Sequence, residues 1–151
     1  PRKKTLVWID PATGESLPPR RSPKTGRLPD ALPQLVFIKQ QLFHEHLTLR
    51  VQLLDITEYR LRDGWGDDGR RGAHRVDRVP TAVCDAVDLR TPADLKALLP
   101  PLPETFTSAE LGKALRLTGR KLSAAVNILY TFRCIDRIGK QKNAYLYTVS
   151  S

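Results

Sequence analysis

Thr107-Ser-Ala-Glu-Leu-Gly-Lys-Ala-Leu115 has the spacing of a capping box, followed by apolar residues on one helical face. In such a box the Thr hydroxyl and the Glu three residues later satisfy each other's backbone donors. Leu117-Thr-Gly119 then reads as a turn, with Thr118 placed to cap a second helix. In that helix Leu122, Ala125, Val126, Leu129 and Phe132 recur at i, i+3, i+4, i+7 and i+10, a continuous apolar stripe. Its other side carries Arg120, Lys121, Ser123, Ala124 and Asn127. Ile135-Asp-Arg-Ile-Gly139 and Ala144-Tyr-Leu-Tyr-Thr-Val149 follow as two strands joined by a basic tip, Lys140-Gln-Lys-Asn143.

Two helices, a short turn, exposed cations on the second helix and a basic hairpin together resemble a winged helix-turn-helix domain over about residues 103–149. The resemblance implies that the second helix enters a DNA major groove and that the hairpin touches phosphate or the minor groove. Carried over, Thr118, Arg120, Lys121, Ser123 and Asn127 would face DNA, with Lys140 and Lys142 as wing contacts. Arg and Lys suit guanine edges or phosphate, and Asn suits adenine. The chain departs from the pattern at Arg133, where such domains usually place Gly before the first wing strand.

Working outward, the whole chain of 151 residues carries 25 Lys plus Arg against 16 Asp plus Glu, a net charge of +9. That excess favours a polyanionic partner. No apolar run is long enough to span a membrane. Cys84 and Cys134 lack metal-binding spacing and fit a reducing, cytoplasmic setting. No leader peptide is visible, and the absence of an initial Met suggests processing or a piece of a longer chain.

The proline run Leu99-Pro-Pro-Leu-Pro103 predicts a stiff linker at 100–103 between an N-terminal domain, 1–99, and the winged-helix domain, 104–151. The first part reads as α+β: a strand at Thr5–Asp10, a basic loop, and a helix from Asp30 to Phe43 with Asp30 as N-cap. A long strand over 47–62, a glycine-rich exposed loop over 63–78, a strand over 79–89 and a short helix begun by Thr91 and Pro92 follow. The expected sheet is small, mixed or largely antiparallel. Arg20, Arg21, Lys24 and Arg27 load the first loop, and Arg70, Arg71, Arg75 and Arg78 the second, beside Trp65. Such clusters suit phosphate capture and base stacking.

Catalytic chemistry has thin support. Asp10, Asp55 and Glu58 are the carboxylates a metal-dependent nuclease could use, but Glu58-Tyr-Arg60 places Arg where such sites carry Lys. An Arg does not deprotonate near neutrality, so a general base is lost. His44-Glu45-His46 lacks zinc spacing, His74 stands alone in the glycine loop, and no phosphate loop occurs. The reading is therefore a DNA-binding module without cofactor or metal. A DNA-processing nuclease and a protein-assembly module, with a protein partner or homodimer, are the alternatives.

Overall fold

The computed structural model describes residues 1–65 and 71–150, together an α+β fold with two sheets and few helices. Seven strands and three α-helices are present among them: β1 (Lys3–Ile9), β2 (Arg20–Arg21), β3 (Leu49–Trp65), β4 (Arg71–Leu89), α1 (Pro92–Lys96), β5 (Phe106–Thr107), α2 (Ser108–Leu115), α3 (Gly119–Thr131), β6 (Ile135–Gln141) and β7 (Ala144–Val149). A 3-10 helix spans Leu28–Ile38.

That 3-10 helix replaces the α-helix expected from Asp30 to Phe43. Pro33 would press its ring on the carbonyl of Pro29 in an α-helix and disfavours α geometry at Leu32, so the regular α-helix is lost. Asp30 falls inside the first turn rather than capping it.

The first sheet has the order β2-β1-β3-β4. Its centre is not antiparallel. β1 runs parallel to β3, with Lys3 opposite Asp55 and Ile9 opposite Leu61, while β2 is antiparallel to β1. A parallel pair needs a long crossover, and residues 10–48 supply it. The loop expected over 63–78 is strand at 63–65 and 71–78, and its middle, 66–70, lies outside the described residues. β3 continues to Trp65 and β4 begins at Arg71, so Arg75 and Arg78 are strand residues; Arg70 lies outside the described residues. Ion pairs step up β3 as they step down β4: Arg50 with Asp88, Glu58 with Arg78, Asp63 with His74. That is the spacing of antiparallel neighbours.

The chain divides into two compact units, residues 1–27 with 52–86 and residues 28–51 with 87–151. The division does not follow the proline run. The reason lies in the core, where Phe106, Leu111, Leu115, Ile128, Leu129 and Ile135 pack in one cluster with Leu32 and Leu35 of the 3-10 helix and with Leu89 and Leu95. The apolar stripe of α3 thus finds part of its cover in a segment some ninety positions earlier.

In this second unit the local signals act as expected. Thr107 caps α2 by accepting from the Glu110 N–H at 3.3 Å, while Glu110 accepts from the Thr107 N–H at 2.7 Å. Thr91 and Asp94 repeat the arrangement at α1. Gly112 lets α2 approach α3: a Cβ there would lie 2.7 Å from Leu122 Cδ2 and 2.9 Å from the Leu117 carbonyl. The second sheet, β5-β7-β6, is antiparallel throughout.

Candidate nucleic-acid interface

α3 starts at Thr118, an extended N-cap whose hydroxyl makes no capping bond. Leu122, Ala125, Ile128, Leu129 and Phe132 turn inward, and the opposite edge is left to solvent. Arg120, Lys121, Ser123, Asn127 and Tyr130 are all exposed. Asn127 is not idle: its side-chain oxygen accepts from Lys39 Nζ at 3.1 Å, which brings a further cation to this edge.

Both helices end alike. After α2 the Arg116 N–H donates to the Lys113 carbonyl and the Leu117 N–H to that of Gly112. After α3 the Arg133 N–H donates to Tyr130 and the Cys134 N–H to Leu129. These are Schellman pairs, which need one left-handed residue. Arg116 (φ 53°) and Arg133 (φ 52°) supply it. Arg133 therefore adopts the backbone that a glycine would favour, and the departure noted in the sequence leaves the turn intact.

Between β6 and β7 the chain reverses over Lys142 and Asn143, with Lys142 at φ 54°. Lys140 lies on β6 rather than in the tip, its Nζ 5.0 Å from the Tyr145 ring centre. A bulge at Ile138 breaks the register between Arg137 and Gly139. Arg137 stacks over Tyr145 at 3.7 Å and lies 5.1 Å from the Tyr130 ring. The exposed edge of α3 thus continues through Tyr130 and Arg137 to the hairpin. Sequence reasoning missed this trio. The available signal was the i, i+2 pair Tyr145 and Tyr147, which strand alternation puts on one face beneath a β6 cation.

In the first unit the carboxylates are already engaged. Asp55 receives Arg2 Nε at 3.2 Å, Arg2 Nη2 at 3.0 Å and the Lys3 N–H at 3.0 Å. The Arg2 bonds hold its carboxyl below the usual range. Glu58 is fully buried and receives Arg78 Nε at 2.8 Å, Arg60 Nε at 2.7 Å and Lys4 Nζ at 3.3 Å. Burial pushes its carboxyl up, but Arg78, Arg60 and Lys4 outweigh that and leave it at about 2. Asp10 accepts from the Ala12 N–H in a local turn. Asp55 and Glu58, three apart on β3, point to opposite faces. Among the described residues no three of His, Cys, Asp or Glu sit close enough to share a metal ion. His74, expected in a loop, lies on β4 with Nδ1 2.6 Å from Asp63.

The basic residues of this unit separate. Arg20 and Arg21 form β2 and pair with β1, Lys24 is exposed in the segment after it, and Arg78 is committed to Glu58. Residues 1–90, more than half of the chain, match the sequence profile of a domain of unknown function, DUF8091. The chain belongs to the DUF8091 family. The DUF8091 region takes in β1, β2, the 3-10 helix, β3 and β4, so it includes the Glu58 cluster and stops before α1. No curated protein and no solved structure matches the chain. Among the described residues no helix is long and apolar enough to cross a membrane.

Proposed function

We propose that this DUF8091 chain is a DNA-binding protein whose residues 104–151 act as a winged helix-turn-helix. In this reading α3 lies in the major groove, where Arg120, Lys121, Ser123 and Asn127 meet base edges and phosphates, and Thr118 donates its uncapped hydroxyl. Lys140, Lys142 and Arg137 of the hairpin meet the flanking backbone. Arg20, Arg21 and Lys24 of the first unit add phosphate contacts. The function is binding without catalysis, in the cytoplasm, where two free thiols persist.

One observation carries the reading: the edge of α3 that starts with Arg120 and Lys121 and runs through Ser123 and Asn127 is exposed, while the other side is committed to the core. A second supports it. Arg116 and Arg133 hold left-handed turns at a backbone cost of about 1–2 kcal/mol each, which glycine would avoid. Both arginines are exposed at ends of the two helices, where a charge is available to a polyanion and is also favoured by the helix dipole.

A gel-shift titration with duplex DNA tests it. Arg120→Ala/Lys121→Ala is expected to weaken binding about tenfold or more. With some six phosphates contacted, wild-type affinity should fall by about three orders of magnitude between 50 and 200 mM salt. Unchanged affinity in the double variant removes α3 from the interface and leaves protein docking as the role of this surface.

A further inference from the structure

On the first sheet, alternation assigns side chains to faces. Lys4 reaches Glu58, so Leu6 and Trp8, two and four residues on along β1, share that face. On β3 the same face carries Ile56, Glu58, Arg60 and Arg62. Arg20 pairs with Leu6 and brings its guanidinium 5.9 Å from the Trp8 ring, a loose cation–π contact. Arg78 arrives from β4. Among the described residues of these strands, five cations therefore share this face with one carboxylate, Glu58, which already accepts from three of them.

The two others, Arg20 and Arg62, make no ion pair among the described residues. Together with Trp8, Leu17 and Pro18 they line a cavity of about 380 Å³. Its volume is that of a small-ligand site. Among the described residues its walls combine an indole, two aliphatic side chains and two planar cations, with no carboxylate. Such a lining suits a flat ring next to a phosphate. The cation track from Arg62 past Arg60 to Lys4 adds a direction, since a polymer backbone uses repeated charges whereas a free ligand needs only those in its pocket.

We propose that this pocket takes one nucleotide of a single-stranded nucleic acid, its base against Trp8 and its flanking phosphates on Arg20 and Arg62. The Lys4, Arg60 and Arg78 side of the sheet then guides the next stretch of backbone. This site is separate from the α3 edge and goes beyond the duplex reading above, with which it shares only Arg20.

The full-length chain carrying Trp65→Phe keeps Trp8 as its one indole and serves as the reporter. Titration with ten-nucleotide oligo(dT) at low salt is expected to give saturable quenching of Trp8 fluorescence. Arg20→Glu and Arg62→Glu, both on exposed side chains, should each weaken binding about tenfold or more. Arg62→Ala should lower the slope of log affinity against log salt by about 0.7, the single-strand value for one phosphate contact. Trp8→Phe should retain stacking within a few-fold of the parent, read by oligonucleotide anisotropy, while Trp8→Leu loses about tenfold.

Absence of saturable quenching overturns the proposal. So does equal competition by polyglutamate, which would mark a general anion surface, or binding of free dTMP as tight as that of the decamer, which would mark a small-molecule pocket. Trp8→Phe and Trp8→Leu behaving alike would remove stacking from the account. Oligo(rA) compared with oligo(dA) reads the preference between RNA and DNA, and binding of both supports the site. Because Arg120→Ala/Lys121→Ala is assayed on duplex and leaves Trp8 in place, failure of either assignment is seen without the other.

Discussion

In the unit formed by residues 28–51 and 87–150, Leu, Ile, Phe, Ala, Cys and Tyr side chains are buried together in one cluster. In the unit formed by 1–27 and 52–86, only Ile56 and Glu58 are buried among the described residues. The first arrangement is stabilised by apolar area removed from water, at roughly 25 cal/mol per Å². The second leans on strand pairing and on a carboxylate clamped by Arg78, Arg60 and Lys4. Such a clamp adds less net stability than hydrocarbon packing, because desolvation offsets much of the attraction. It does fix register, since Lys4 on β1, Glu58 on β3 and Arg78 on β4 meet only when three strands are correctly aligned.

The contrast can be tested first with thiols. Cys134 is buried, and burial raises its thiol to about 11, whereas Cys84 on β4 is partly exposed. A thiol reagent at neutral pH should modify Cys84 readily and Cys134 at least about a hundredfold more slowly. Comparable rates, read by mass spectrometry of peptides, would mean the second unit opens as easily as the first.

Leu32→Ala comes next, with an expected loss of about 3 kcal/mol. Hydrogen exchange should show weaker protection in α3, despite the distance in sequence. Unaltered protection there would break the shared core.

Glu58 gives a pH signature. Its folded-state value is lowered from 4.5 to about 2, so its contribution is complete above 4.5 and disappears as pH falls from there towards 2. The shift corresponds to roughly 3 kcal/mol at most. Exchange in β1 and β3 should accelerate over that window before α2 and α3 respond. Glu58→Gln should impose a loss of about 2 kcal/mol at neutral pH and flatten the acid response. An acid response identical to the wild type would show that Glu58 is not its source.

The smallest effect belongs to Arg133→Gly. Relief of left-handed strain, about 1–2 kcal/mol, is partly cancelled by glycine's larger unfolded-state entropy, about 0.5–1 kcal/mol. A gain of about 0.5–1 kcal/mol by thermal or urea unfolding is expected. A loss would mean that the arginine side chain repays its backbone cost within the folded chain.

Legibility in the sequence followed the range of the interaction. The capping box of Thr107, the helix start at Thr91 and Pro92, the apolar stripe of α3 and the β6–β7 hairpin rest on neighbours a few residues apart, and those elements were readable. The helix at 30–43 misled because apolar spacing near three and four fits a 3-10 helix as well; Pro29 and Pro33 were the discriminating residues. The glycine-rich stretch suggested a loop over 63–78, yet pairing with β3 holds β4 as strand from Arg71; residues 66–70 lie outside the described residues. Parallel pairing of β1 with β3 could not be inferred, since both directions bury the same alternating residues. Glu58-Tyr-Arg60 invited comparison with a catalytic triplet. Its alternation already placed the two charges side by side, and that was the better use of the pattern. The exposed cations of α3 were visible in advance, whereas for Arg137 only the alternation of Tyr145 and Tyr147 gave a hint, and the bulge beside it has no local mark.

The sharing of one core between residues 28–51 and 87–150 bears on how the chain is made. On a ribosome, Leu32 and Leu35 emerge long before α3, and until then their apolar surface has no permanent cover. Residues 52–86 must be threaded as an insertion before that surface closes. Cutting at the prolines would therefore yield two fragments, each with half of a single interior, rather than two foldable modules.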